Sequence, residues 1–183
     1  MLRATADELS EAGLAGASVG QIAARAGVHP TSIYRQWGTP EALVLDAALT
    51  AAALHIPVPD TGSLRGDLTA FLTALDRHVR SPLGRALLAL SGASEPAVEA
   101  ARDRFWRERL GLAKTIFERA KHRREAAADT DPSMAIEFAI APLYLRAGVM
   151  HRPLTRQALS RHVETVIRAF APARARGRPR SSS

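Results

Sequence analysis

The chain has 183 residues, 46% of them hydrophobic and 23% charged, with a formal net charge of +7 and a pI near 11.1; this is ordinary globular composition for one domain or two small ones. Cysteine is absent, which excludes a disulfide framework and thiol-based metal or redox chemistry, and no apolar run approaches the roughly 20 residues that cross a bilayer. No basic-then-apolar leader precedes the first predicted helix, so the expectation is a cytoplasmic protein with no membrane partner.

The punctuation along the chain is helical throughout, without sustained period-two alternation, so the fold class is all-α. A first helix is predicted from Leu2 to Ala12, with Leu2, Ala6 and Leu9 on one stripe and a stop at Gly13. Ser18 reads as the N-cap of a second helix, and Gln21 three residues on completes a capping box. Gly27 permits a turn, and Pro30 stands near the first turn of a short third helix, where its missing N–H costs little. Thr39-Pro40 starts a long fourth helix through Ala53, and Ser81-Pro82 and Asp131-Pro132 repeat that signal. Further helices are predicted over Leu64–Arg80, Leu83–Leu90, Pro96–Glu125 and Pro132–Met150, with Thr155 capping a last one to Phe170. The break "IPVPDTG" over Ile56–Gly62 divides a small N-terminal unit from a larger helical one. The predicted organisation is a unit at 1–50, a helical domain at 51–171 and a basic tail at 172–183, whose Arg, Gly, Pro and Ser content cannot bury enough apolar area to fold alone.

The stretch "SVGQIAARAGVHPTSIYRQW" from Ser18 to Trp37 carries the functional signal. Ile22, Ala23 and Ala26 face one way on the second helix, and Val28, Ile33 and Trp37 supply the apolar side of the third. Thr31, Ser32, Tyr34, Arg35 and Gln36 must then include the outward face: hydroxyls first, then a phenol, a guanidinium and an amide. That pattern fits a helix-turn-helix whose second helix enters a major groove; the alternative is a structural corner with a solvated face. Charge does not decide between them: residues 1–50 hold three arginines against five carboxylates, a net of −2. The basic excess lies in the Arg102–Arg124 run and in Arg174, Arg176, Arg178 and Arg180.

These residues resemble the TetR/AcrR-type transcriptional regulators. The resemblance rests on Gly13 ending the first helix, "IAARAGV" from Ile22 to Val28, "SIYRQW" from Ser32 to Trp37 and "PEALV" from Pro40 to Val44. Beyond residue 50 it is one of architecture and length. It implies a homodimer that binds a palindromic double-stranded DNA operator and lets go when a small-molecule effector enters the helical domain. By position, it implies that Ser18 and Tyr34 hold phosphates with help from Ser32 and Gln36, and that His29, Pro30, Thr31 and Arg35 sit where bases are read. Arg35 could make a bidentate contact to guanine, a phosphate contact, or none. Pro40 stands where the family usually has a backbone-clamping lysine, so helix-terminus amides must serve there. The chain opens at Met1 inside the expected first turn, without the basic arm common in the family; a start site set too far downstream would explain this. The tail "RGRPRSSS" looks like such an arm and like a minor-groove AT-hook core, so it either binds A·T-rich or non-specific DNA or is a solubilising end.

The larger domain should hold the effector between helices. Its large side chains are Phe71, Leu75, Phe105, Trp106, Leu110, Phe117, Phe138 and Tyr144, with His78, Arg109 and Arg146 as polar anchors, although residues at such spacing also serve as plain core. An anionic effector would pair with Arg109 or Arg146; otherwise the Arg102–Arg124 run is a solvated face supported by the pairs Asp103–Arg107 and Arg104–Glu108. Ile136, Ala139, Ile140, Leu143 and Ala147 with Leu159, Val163, Val166, Ile167 and Phe170 form two apolar faces, available to a dimer or to the monomer's own core. The histidines His29, His55, His78, His122, His151 and His162 are scattered, with no HExxH pair or phosphate-binding glycine loop, so no enzyme activity, cofactor or metal is expected.

Overall fold

The computed structural model describes residues 1–90, 92, 96–152 and 154–172. Among them the chain forms α1 (Leu2–Gly16), α2 (Val19–Ala26), α3 (Pro30–Trp37), α4 (Pro40–His55), α5 (Leu64–Val79), α6 (Pro82–Leu90), α7 (Pro96–Ala113), α8 (Thr115–His122), α9 (Pro132–Tyr144), a π-helical turn (Leu145–Val149) and α10 (Arg156–Phe170). The predicted caps close as side-chain hydrogen bonds. Ser18, Thr39, Ser81, Asp131 and Thr155 each accept a backbone N–H of the helix they precede, and Ser63, not marked in the sequence, does the same for α5.

Three predicted helices are changed by local chemistry. Gly13 takes φ 69° and ψ 176°, and the helical stretch resumes past it to Gly16, so it kinks α1 rather than ending it. The predicted Pro96–Glu125 helix divides at Lys114, giving α7 and α8. The predicted Pro132–Met150 helix holds Pro142, which has no N–H to offer the ladder; after Tyr144 the backbone widens into the π turn.

Two apolar clusters organise the molecule. The small one joins Ile22, Ala23, Ile33 and Leu43, with Met1, Leu2, Val19 and Trp37 around it. The large one centres on α5, whose Leu64, Leu68, Phe71, Leu72, Leu75 and Val79 recur at helical spacing and are buried against α6, α8, α9 and α10. Full burial of side chains such as Leu68 and Leu72 contributes roughly 1.5–3 kcal/mol each. Helix α4 belongs to both clusters: Leu43 sits in the small one, and Val44, Leu45, Ala48, Ala51, Ala52 and Ile56 sit in the large one.

The apolar faces of α9 and α10 go to this monomer core. Ile136, Ile140, Leu143, Leu159 and Val163 are buried, and Ile167 is half-buried against the same cluster. The residues expected at a dimer contact are therefore covered within one chain. What α9 and the start of the π-helical turn leave outward is a different stripe, Met134, Phe138, Ala141 and Leu145.

The "IPVPDTG" segment is bound to α5 and α8 by a buried carboxylate. Asp67 accepts the Thr61 N–H and hydroxyl at 2.6 and 2.8 Å and the Arg123 guanidinium at 3.0 Å. Arg119 donates to the Pro59 carbonyl, and Glu125 accepts from both Arg123 Nε and the Leu64 N–H at 2.8 Å. Part of the arginine run thus turns inward. Neither Asp103–Arg107 nor Arg104–Glu108 closes as an ion pair among the described residues; Glu99–Arg102 and Lys114–Glu118 do. Burial alone would raise the Asp67 carboxyl, but the Thr61 bonds and Arg123 outweigh it and hold it below its ordinary 3.8.

Two consequences are testable. A carboxylate with a depressed folded-state pKa stabilises the fold above its unfolded value, and that contribution is lost as pH falls from about 4 through the folded value. Urea unfolding across pH 2–7 should therefore show wild type losing more stability in this window than Asp67→Asn, which should start lower and vary less. At Gly84 a Cβ would overlap the His78 carbonyl oxygen and lie 2.7 Å from Val79 Cα, whereas at Gly111, inside α7, it would meet nothing within 4 Å. Gly84→Ala should destabilise by about 1–3 kcal/mol or more, and Gly111→Ala should stabilise by about 0.5–1 kcal/mol, both read as denaturant midpoints.

Candidate nucleic-acid interface and effector cavity

The α2–α3 corner is built by its backbone. Gly27 adopts the left-handed conformation, φ 67° and ψ 34°, and the Val28 N–H reaches back to the Ala23 carbonyl at 3.0 Å. Val28, expected on the apolar side, lies in this turn and is 37% exposed, so Ile33 and Trp37 alone carry the inner side of α3. His29 caps α3: its Nδ1 accepts the Thr31 N–H at 3.3 Å and lies 2.9 Å from the Thr31 hydroxyl. Accepting at Nδ1 puts the ring proton of the neutral imidazole on Nε2. The Ser18 hydroxyl donates to Gln21 Oε1 at 2.8 Å, and the first-turn N–H groups of α2 lack intrahelical acceptors.

The outward side of α3 is as the spacing requires. Residues 31, 34 and 35 fall on one stripe opposite Ile33 and Trp37, and Thr31, Tyr34 and Arg35 are exposed, Tyr34 at 49%. Gln36 is also exposed, while Pro30 and Ser32 are half-buried. Among the described residues Arg35 forms no ion pair. Arg25 is different: it binds Glu11 at 2.9 Å and Glu8 at 3.3 Å and fastens α2 to α1. The hydrogen bonds to Arg25 hold the Glu11 carboxyl below its ordinary range. On the other flank the Trp37 indole N–H donates to Asp46 at 3.0 Å, fastening α3 to α4. A short helix marginal by itself is thus held on two sides and presents one cation to solvent. Asp46, which the sequence marks only as a charge on α4, is the positioning residue that pattern reading missed.

In the larger domain a cavity of about 20 Å³, room for one water, lies among α5, α7 and α9. Of the residues expected to line an effector site, Phe71, Leu75, Phe105, Trp106, Arg109, Leu110 and Tyr144 do surround it, joined by Ile56, Ala113 and Ile140. The others do not. Phe117 is fully buried and packs edge-on against Phe170, and Phe138 is 47% exposed on the outer side of α9. His78 lines a separate pocket with Ser10, Arg77 and Ser81, and Arg146 donates to the Arg152 carbonyl. Helical periodicity placed His78 and Phe138 on lining helices without specifying which face the chain would turn inward, whereas Phe117 lies on α8 and Arg146 in the π-helical turn, away from the cavity.

Among the described residues no group of three or more His, Asp and Glu is disposed to hold a metal ion, and no helix is long and apolar enough to cross a membrane. Residues 173–183, with the basic tail, lie outside the described residues.

Comparison with known proteins agrees with this layout. Residues 1–47 match the family described as "Bacterial regulatory proteins, tetR family", and residues 58–166 match "Tetracyclin repressor-like, C-terminal domain". The chain is 38% identical over 138 residues to the HTH-type transcriptional regulator AqdR of Rhodococcus erythropolis, covering 74% of this chain and 67% of that protein. It is 33% identical over 149 residues to the uncharacterized HTH-type transcriptional regulator YdeS of Bacillus subtilis (strain 168), covering 80% and 75%. The crystal structure of the TetR family transcription regulator SCO0332 superposes with a TM-score of 0.81 at 27% identity, covering 93% of this chain and 96% of that one. These matches favour a helix-turn-helix regulator over a protein that binds DNA through its arginine-rich tail. From its first helix to its last, this chain belongs to the TetR family of DNA-binding transcriptional regulators.

Proposed function

We propose that the protein is a homodimeric repressor that reads a palindromic operator through α3 and releases it when a small molecule enters the cavity among α5, α7 and α9. The observation that carries the DNA half of this reading is the Thr31–Tyr34–Arg35 face, clear of the core on a helix fastened by Trp37–Asp46. Labour is divided between a DNA-binding unit at 1–50 and an effector and dimer domain at 51–171, in a cytoplasmic protein. Ser18, Ser32, Tyr34 and Gln36 grip phosphates; His29, Pro30, Thr31 and Arg35 face base edges. Because Arg25 is engaged by Glu8 and Glu11, Arg35 carries the charge of the contact. The Met134, Phe138, Ala141 and Leu145 stripe, at spacings of four, three and four, supplies an apolar surface for a second copy. A two-fold axis there would set two α3 helices about 34–36 Å apart, one helical turn of DNA.

Selection of bound sequences from a random duplex pool tests the reading, run on the full chain and on a chain ending at Pro172. A palindromic motif from both is expected. An A·T-rich enrichment without symmetry, lost on truncation, would assign binding to residues 173–183 instead. Within that motif, Arg35→Ala should relax preference at one base-pair position per half-site, with a loss of about 1–3 kcal/mol for the matched base. Tyr34→Phe should weaken binding to all duplexes nearly equally, and competition titrations with single-position variants distinguish the two patterns.

A further inference from the structure

The cavity has an unbalanced chemistry. Its walls are apolar except for Arg109, Tyr144 and the Trp106 indole, and guanidinium and indole can only donate hydrogen bonds. Arg109 forms no ion pair among the described residues; its one hydrogen bond goes to the Ile56 carbonyl at the end of α4. The Tyr144 phenol has no hydrogen-bond partner among the described residues, and burial pushes its pKa up, so it stays a neutral donor. Burial pulls the Arg109 guanidinium down from its ordinary value, which still leaves it charged at neutral pH. A cation placed in apolar surroundings without a carboxylate is unfavourable unless a counter-charge arrives. Donors converge here and no acidic side chain answers them.

The surroundings give the size and route of what would. Trp106 and Tyr144 meet edge to face with centroids 5.2 Å apart. Both also line a groove of about 420 Å³ on their far side, walled by Leu88, Leu145, Gly148 and Val149. That volume lies in the range of small-molecule sites, whereas the inner cavity holds one water. The groove wall is the π-helical turn that follows Pro142, an irregular segment of the kind that accompanies functional sites.

Resting on the reading of this cavity as the effector site, we propose that the effector is an apolar organic anion, a carboxylate or an equally acidic group, paired with Arg109 while its apolar body fills the groove beyond Trp106 and Tyr144. The anion takes the guanidinium away from the Ile56 carbonyl. Ile56 ends α4, whose other end holds Leu43 in the small cluster and Asp46 against Trp37, so the ligand acts on the helix that seats α3.

Isothermal titration of the full-length protein with octanoate, decanoate, naphthalene-1-acetate and indole-3-butyrate, each beside its primary amide, tests this. At least one acid should bind once per chain, about tenfold or more tighter than its amide, the margin expected of a charge-assisted pair. Arg109→Gln should remove that margin while leaving amide affinity within about threefold, and Arg109→Lys should keep part of it. Hydrogen exchange at residues 52–56, where the Ile56 N–H bonds the Ala52 carbonyl at 3.0 Å, should quicken with acid and not with amide. Acid and amide binding equally to wild type would overturn the anion and keep the cavity as effector site. Binding of neither would overturn both. Arg109→Gln weakening acid and amide alike would reduce Arg109 to a structural residue and overturn the pairing.

Discussion

Helix α4 is the constraint on which the rest of the molecule depends. Leu43, Val44, Leu45, Ala47 and Ala48 are consecutive or nearly so and all buried, so the middle of this helix meets protein on every side. Its alanines leave room for α1, α6 and α7 to approach. A helix enclosed in this way cannot shift at one end without disturbing the packing at the other. Two polar ties mark its length: Trp37 bonds Asp46 on the side of α3, and Arg109 holds the carbonyl at the far end. Any signal between cavity and α3 has this rigid element available to it.

The arginines show how burial and partners decide what one residue type does. Arg25 is neutralised by two glutamates and serves as a clamp between α1 and α2. Arg119 and Arg123 are drawn onto Asp67 and Asp60, where they close the segment after α4. Arg109 turns into an apolar cavity with a single carbonyl, and Arg35 turns to solvent. Net charge therefore says little about DNA binding in this chain; the location of one unpaired guanidinium on a capped helix says more.

The cavity region is legible in a similar way once its faces are known. Aromatic residues on α7 and α9 recur at helical spacing, and that spacing belongs to core and cavity alike. Phe105, Trp106 and Tyr144 meet edge to face, whereas Phe117 and Phe138 each pair with Phe170 of α10. The division follows the rotation of each helix about its axis, set by the helices packed against it.

By itself the sequence determined what is local. Capping residues and prolines located nearly every helix start, because a side-chain oxygen that satisfies a first-turn N–H needs only neighbours three residues away. The Gly27 turn, the Ile22–Ile33 inner face and the outward Thr31, Tyr34 and Arg35 were legible for the same reason. Tertiary structure decided what depends on partners distant in the chain. It joined Asp67 to Arg123, Arg109 to Ile56 and Trp37 to Asp46, contacts whose partners no local period pairs. It also turned Ile136, Leu143, Leu159 and Val163 into the monomer core and left Met134, Phe138 and Leu145 outside. An amphipathic helix with two apolar stripes can bury either one, and only the helices packed against it decide which.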